Sequence, residues 1–209
     1  MCESKDYEVA VTCHMDLSRH IRGKITRTPL PWTLTHQQQK RLKAPAAPKL
    51  PSPLGVAQLP EHDMEDDGTY RGLEFNGSDL TSREVDAAEY EGCRFVVTSF
   101  AGSQLRRAGF VNVELERCDL SNMTARASGM HRVRTSASRL TGMTWTECAF
   151  RDVLFDACRA DLIGFRFSTF KNTVFRDCTM PEANFQNADL RGVRFERCDL
   201  SLNPRRDSC

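Results

Sequence analysis

From Phe75 to Leu200 every fifth residue is large and apolar, and the count runs without insertion or deletion through 26 positions. Only Ala125, Thr135 and Ala160 break the set. Two residues before each of these positions stands a smaller one, as in Ala88, Cys93, Thr98, Ser103, Ala108, Val113 and Cys118, with Arg83 as the misfit. A helix repeats its apolar face near every 3.6 residues and a strand every second, so a strict period of five belongs to neither. It marks a repeat architecture.

A five-residue unit buries one large and one small residue each time if it forms one side of a square coil. Four units then close a turn, and the remaining three positions face water, as Asp79, Glu89, Arg106, Asn112, Arg176 and Asn187 require. Coils pairing backbone to backbone at about 4.8 Å would give about 6.5 turns and a rod about 31 Å long. Phe95, Phe110, Phe150, Phe155, Phe170, Phe175, Phe185, Leu190 and Phe195 are its expected core. Ala125 and Thr135 leave volume unfilled, so a bulge or bend is expected in the middle.

The units Ala188-Asp189-Leu190-Arg191-Gly192 and Ala183-Asn184-Phe185-Gln186-Asn187, with Cys118-Asp119-Leu120 and Cys198-Asp199-Leu200, carry a resemblance. The chain resembles the pentapeptide-repeat family, whose consensus is a small residue, Asp or Asn, Leu or Phe, and two variable polar residues. The resemblance implies an all-β fold, a right-handed quadrilateral parallel β-helix, spanning residues 70–203. It also implies a rigid protein-binding solenoid, since well-known members are quinolone-resistance proteins that imitate duplex DNA and bind type II topoisomerase.

Residues 1–65 lack the five-residue phase and hold Pro29, Pro31, Pro45, Pro48, Pro51, Pro53 and Pro60, which reads as a disordered, Pro-rich tail. Residues 204–209 read as a short C-terminal tail, and residues 201–209 are too short to form a helical cap. An uncapped last coil could pair with a second copy, giving a homodimer. No run approaches the ~20 apolar residues of a membrane span, and no short apolar leader opens the chain, so the expected address is cytoplasmic, with no membrane partner.

Six of the nine cysteines, Cys93, Cys118, Cys148, Cys158, Cys178 and Cys198, occupy the small inward position, where a thiol packs as a compact hydrophobe. Cys2, Cys13, His14 and His20 lack the short paired spacing of a zinc site. No metal or cofactor is therefore expected. Only His131 among five histidines falls within the repeats, too few bases for a nucleophilic or acid–base site, so the reading is non-enzymatic.

Residues twenty apart share a column. One column holds His131, Arg151, Lys171 and Arg191, and another, on the adjacent face, holds Arg106, Arg126 and Arg166. Stacked like charges repel at strand spacing, which makes these seven the candidate partner surface. Residues 71–203 carry 18 basic and 18 acidic side chains, a balance that departs from an acidic DNA mimic. A protein partner, with DNA gyrase or topoisomerase IV as the family-derived candidate, is the leading expectation. Two other classes stay open: a nucleic-acid-binding accessory protein using the basic columns, and a scaffold or oligomerisation module.

Overall fold

The computed structural model describes residues 43–201. Its strands, in chain order, are β1 (Gly55–Val56), β2 (Thr69–Arg71), β3 (Leu73–Asn76), β4 (Glu84–Asp86), β5 (Glu89–Glu91), β6 (Arg94–Val96), β7 (Gln104–Arg106), β8 (Gly109–Glu116), β9 (Thr124–Arg126), β10 (Gly129–Ser136), β11 (Thr144–Thr146), β12 (Ala149–Asp156), β13 (Thr169–Arg176) and β14 (Val193–Glu196). Pairing is parallel, and from β2 onward partners stand twenty residues apart: Phe75 opposite Phe95, then Leu115, Thr135, Phe155, Phe175 and Phe195. Four pentads thus close each coil. Tyr70 stacks on Tyr90 at 4.8 Å, which starts the ladder one unit before Phe75.

One sheet covers two adjacent faces, centred on Tyr90, Phe110, Met130, Phe150 and Phe170 and on the Phe75–Phe195 column. A second sheet, β4-β7-β9-β11, forms the third face over Val85, Leu105, Ala125 and Trp145. Single bridges from Asp79 through Ser99, Asp119, Arg139, Arg159 and Thr179 to Asp199 join the fourth.

The corners explain why the unit is five residues long. Two residues after each central position, from Asp67 to Arg197, the backbone enters the left-handed region, with Gly192 as the exception. Side chains as unsuited to it as Val97 (φ 52°) and Phe167 (φ 56°) adopt it, at a cost of roughly 1–2 kcal/mol each. Each turn aims a backbone N–H along the rod: Val97 N donates to Glu116 O at 3.0 Å and Asp177 N to Glu196 O at 2.9 Å. Hydrogen bonding between coils and burial of the central side chains offset the strain.

The residue types at the other fixed positions have equally local causes. Asp79, Asp119, Asp189 and Asp199 each accept, through Oδ1, the N–H two residues on, at 2.9–3.1 Å. The small inward residues donate to a central carbonyl of the preceding coil: Ser103 Oγ to Leu80 O at 2.7 Å, Thr98 Oγ1 to Phe75 O at 3.1 Å and Cys93 Sγ to Tyr70 O at 3.3 Å. Cysteine there is more than a compact hydrophobe. It satisfies a carbonyl inside the rod, and burial pushes the Cys118 and Cys148 thiols up to about 11.

The bend expected at Ala125 and Thr135 is absent: β8, β10, β12 and β13 keep one register across that region. Trp145, fully buried, fills the space above Ala125, its ring 6.1 Å from Phe110 and 5.3 Å from Phe150. Buried Met123, Met130 and Met143 occupy the same coils. Thr135 Oγ1 is buried without a hydrogen-bond partner. Thr135→Val removes that orphaned hydroxyl while keeping the branched shape, and is expected to stabilise the rod by about 1 kcal/mol, read as a raised denaturation midpoint at unchanged m-value.

The disordered tail expected through residue 65 requires correction over its described part, while residues 1–42 and 202–209 lie outside the described residues. β1 pairs with β3, Gly55 opposite Leu73 and Val56 opposite Glu74, and so covers the first coil's edge. Met64 is buried against the first layer, and Tyr70 OH donates to Asp63 O. Arg83, the charged misfit at a small inward position, reaches back to the Asp63 carboxylate through Nη2 (2.9 Å) and Nε (3.0 Å). That hydrogen bond holds the Asp63 carboxyl below its usual range. The sequence obscured this cap because its paired edge, the burial of Met64, the Tyr70 hydroxyl bond and the Arg83–Asp63 pair do not require residues 55–65 to follow the five-residue phase.

Upstream of β1 the chain lies along the rod. Lys43 O accepts from Arg194 Nη2 at 3.1 Å, Ala44 O from Asn172 Nδ2 at 3.5 Å, and Lys49 N donates to Asn112 Oδ1 at 3.2 Å. The strap travels from the last coil back to the first. At the far end Phe185 is buried, whereas Leu190, Phe195, Cys198 and Leu200 are only partly covered.

Candidate functional site

The first basic column is borne by β10, β12 and β13, which set His131 opposite Arg151 and Arg151 opposite Lys171, with Arg191 one coil further on. A flat parallel sheet holds these side chains in line because their neighbours Met130, Phe150 and Phe170 point inward and are buried. Arg151 Nε lies 3.8 Å from Asp152 Oδ2, and Arg191 grips Asp189 through Nε (2.9 Å) and Nη2 (2.5 Å). Arg191 thereby holds the Asp189 carboxyl below the ordinary range. His131 Nε2 meets Arg132 Nη1 at 3.1 Å, and burial, then the Arg132 and Arg151 charges, push its imidazole below its usual range. Lys171 is exposed and, among the described residues, has no ion pair.

The second column sits on the adjacent face, where β4, β7 and β9 align Asp86, Arg106 and Arg126. Asp86 lies 3.9 Å from Arg106 and 2.9 Å from Arg107. Arg126 pairs with Glu147 at 3.2 Å. Arg166 stands two coils beyond Arg126, separated from it by Thr146, and stacks over the exposed Phe167 ring at 5.6 Å. The structure therefore brings His131, Arg151, Lys171 and Arg191 into one ladder but splits Arg166 from Arg106 and Arg126. Exposed pairs of this kind contribute about 0–1 kcal/mol each, and their chief effect is to reduce the net field.

Of the expected core residues, Phe95, Phe110, Phe150, Phe155, Phe170, Phe175 and Phe185 are buried, and Leu190 and Phe195 are partly covered at the last coil. Among the described residues no three His, Cys, Asp or Glu side chains gather where a metal could be held, and no helix is long and apolar enough to cross a membrane. The cluster Cys2, Cys13, His14 and His20 lies outside the described residues.

Columns read for charge alone missed the corner beside the first ladder. Asn112, Arg132, Asp152 and Asn172 form it, and their side chains interlock: Arg132 Nε to Asn112 Oδ1 at 2.6 Å and Asn172 Nδ2 to Asp152 Oδ1 at 2.6 Å. The strap lies on this column. Two signals were present in the sequence, prolines at 45, 48 and 51 and the stacking of amide and carboxylate side chains at 112, 152 and 172.

The profile of the pentapeptide repeat region matches residues 108–185 and 128–202. Among solved structures, the chain is similar to a trypsin-treated form of QnrB1, a plasmid-mediated fluoroquinolone resistance protein, at 15% identity over 71% of this chain and 92% of that one, with a TM-score of 0.37. It is also similar to the pentapeptide-repeat protein Rfr23 from the cyanobacterium Cyanothece 51142 (12% identity, 65% and 90% covered, TM-score 0.35). HetL from Nostoc sp. strain PCC 7120, involved in regulating heterocyst differentiation, matches at 10% identity over 64% and 87%, with a TM-score of 0.23. No curated protein matches the chain by sequence.

Proposed function

Because the chain belongs to the pentapeptide-repeat family, we propose that it works as a non-enzymatic, rigid binding surface for a protein partner, with a type II topoisomerase as the partner to test first. The observation that carries this reading is the ladder His131–Arg151–Lys171–Arg191, which presents side chains at strand spacing on a sheet of unbroken parallel register. A surface fixed in advance loses little conformational entropy on binding. The topoisomerase is supplied by family membership, and the cytoplasmic address follows from that partner.

Charge sets the expected strength. With 18 basic and 18 acidic residues between 71 and 203, and with Arg151 and Arg191 already facing carboxylates, the rod has no strong field to draw it into a DNA-binding groove. Purified protein is expected to inhibit DNA gyrase supercoiling in a dose-dependent way but weakly, and the triple reversal of Arg151, Lys171 and Arg191 to Glu to shift that dose several-fold at unchanged thermal midpoint. An unshifted dose would remove the ladder from the interface. Absence of gyrase binding combined with salt-steep binding to DNA would replace this reading with the nucleic-acid one.

A further inference from the structure

Residues 43–53 read Lys-Ala-Pro-Ala-Ala-Pro-Lys-Leu-Pro-Ser-Pro, with prolines at 45, 48 and 51. Proline at every third position favours polyproline II, which advances about 3.1 Å per residue and about 9.3 Å per turn. Two coils of the rod advance about 9.6 Å. One turn of such a strap therefore keeps pace with two coils, and a segment of this kind can repeat the same contact along the corner without drifting out of step.

The contacts follow that register. Proline has no N–H, and in both contacts the residue that follows it donates: Ala46 N meets Asp152 Oδ1 at 3.5 Å and Lys49 N meets Asn112 Oδ1 at 3.2 Å. The donors are three residues apart and their acceptors forty, or two coils. Asn172 and Arg132 hold the two acceptors from the neighbouring coils, each at 2.6 Å. Where the third proline arrives, the corner is glycine: a Cβ on Gly92 would stand 3.0 Å from the Pro51 ring and one on Gly72 3.2 Å from it. An open depression of about 500 Å³ continues alongside, lined by Lys49, Leu50, Pro51, Arg71, Glu91 and Asn112 among others.

We propose that this corner is a recognition groove for polyproline-II segments carrying Pro-x-x-Pro, held in cis by the chain's own residues 43–53 and able to take a Pro-x-x-Pro segment of another protein when the strap lifts. Recognition rests on the N–H that follows each of the first two prolines and on the glycine floor beneath the third, so it demands the three-residue spacing. The groove adjoins the charged ladder, Arg151 lying against its Asp152, and the proposal does not depend on any topoisomerase. The tethered strap acts as a competitor at high effective concentration, which keeps the intact protein's affinity for a free segment low.

The test uses full-length protein, a fluorescent peptide of residues 43–53, and a peptide of the same composition with the prolines moved out of the three-residue spacing. In the variant Pro45→Gly/Pro48→Gly the strap loses its preferred conformation, and anisotropy is expected to show the in-register peptide binding at least about tenfold more tightly than to the unaltered protein. The permuted peptide is expected to bind at least about tenfold more weakly than the in-register one, the loss of one good hydrogen-bonded contact. As a check that needs no variant, millimolar in-register peptide should accelerate amide exchange at Ala46 and Lys49 of the unaltered protein. Equal binding of the two peptides, or no binding by the variant together with unchanged exchange in the unaltered protein, overturns the proposal.

Discussion

Phe175→Asp is expected to unravel the last coils of the rod and lower the midpoint of the main thermal transition by roughly 10 °C or more. Phe175 is buried between Phe155, stacked at 4.7 Å, and Phe195, stacked at 5.3 Å, and Phe165 and Phe185 meet its ring edge-on. Losing that burial costs about 1.5–3 kcal/mol, and a carboxylate buried in its place among aromatic rings, with no cation beside it, costs several kcal/mol more or takes up a proton. A chain of this size loses about 2–4 °C per kcal/mol. Arg176→Asp, one residue along, exchanges an outward side chain that pairs with Glu196 at 2.9 Å and is expected to change the midpoint by only a few degrees. Similar midpoints for the two variants, followed by circular dichroism, would be incompatible with inward and outward positions assigned as they are.

Trp145→Ala is expected to cost at least the upper part of the usual range for deleting a buried aromatic, about 3–5 kcal/mol. The reason lies below it. Ala125 occupies the same column one coil down, and Trp145 fills both levels, within 6.1 Å of Phe110. Removing the indole leaves two successive coils without a large central side chain on this face, and hydrogen bonds between coils hold the backbone in place so that it cannot collapse into the gap. Trp145→Phe retains one level and should cost distinctly less. Denaturant unfolding measures the difference, and equal losses would mean that Trp145 does not support the Ala125 level.

The spacing of apolar residues made the coil legible because the inward position imposes size and polarity on every unit, and no local rearrangement can substitute for either. Other features leave weaker traces. A left-handed corner accepts Ala, Arg, Asn, Asp and even Phe167 here, since the hydrogen bonds between coils enforce it, so residue identity hardly reports it. Arg83 looked like an error in the pattern because its partner, Asp63, precedes the first coil. The strap was hidden for a similar reason: Asp152 and Asn112 look like solvent-facing residues until the backbone N–H groups that they accept are in place. The seven basic residues were legible as columns, but Asp86 beside Arg106 and Glu147 beside Arg126 became visible as partners only with the geometry.

A molecule assembled from coils each touching the next should fray from either end independently, the loss of one terminal coil being unknown to the other. From β2 onward strand pairs join residues twenty apart, yet Lys43 and Arg194 meet across 151 residues of chain. That contact closes the array into a loop. Opening the last coil then releases the strap, releasing the strap loosens the path into β1, and the two ends acquire a shared fate that nearest-neighbour stacking alone would never give them.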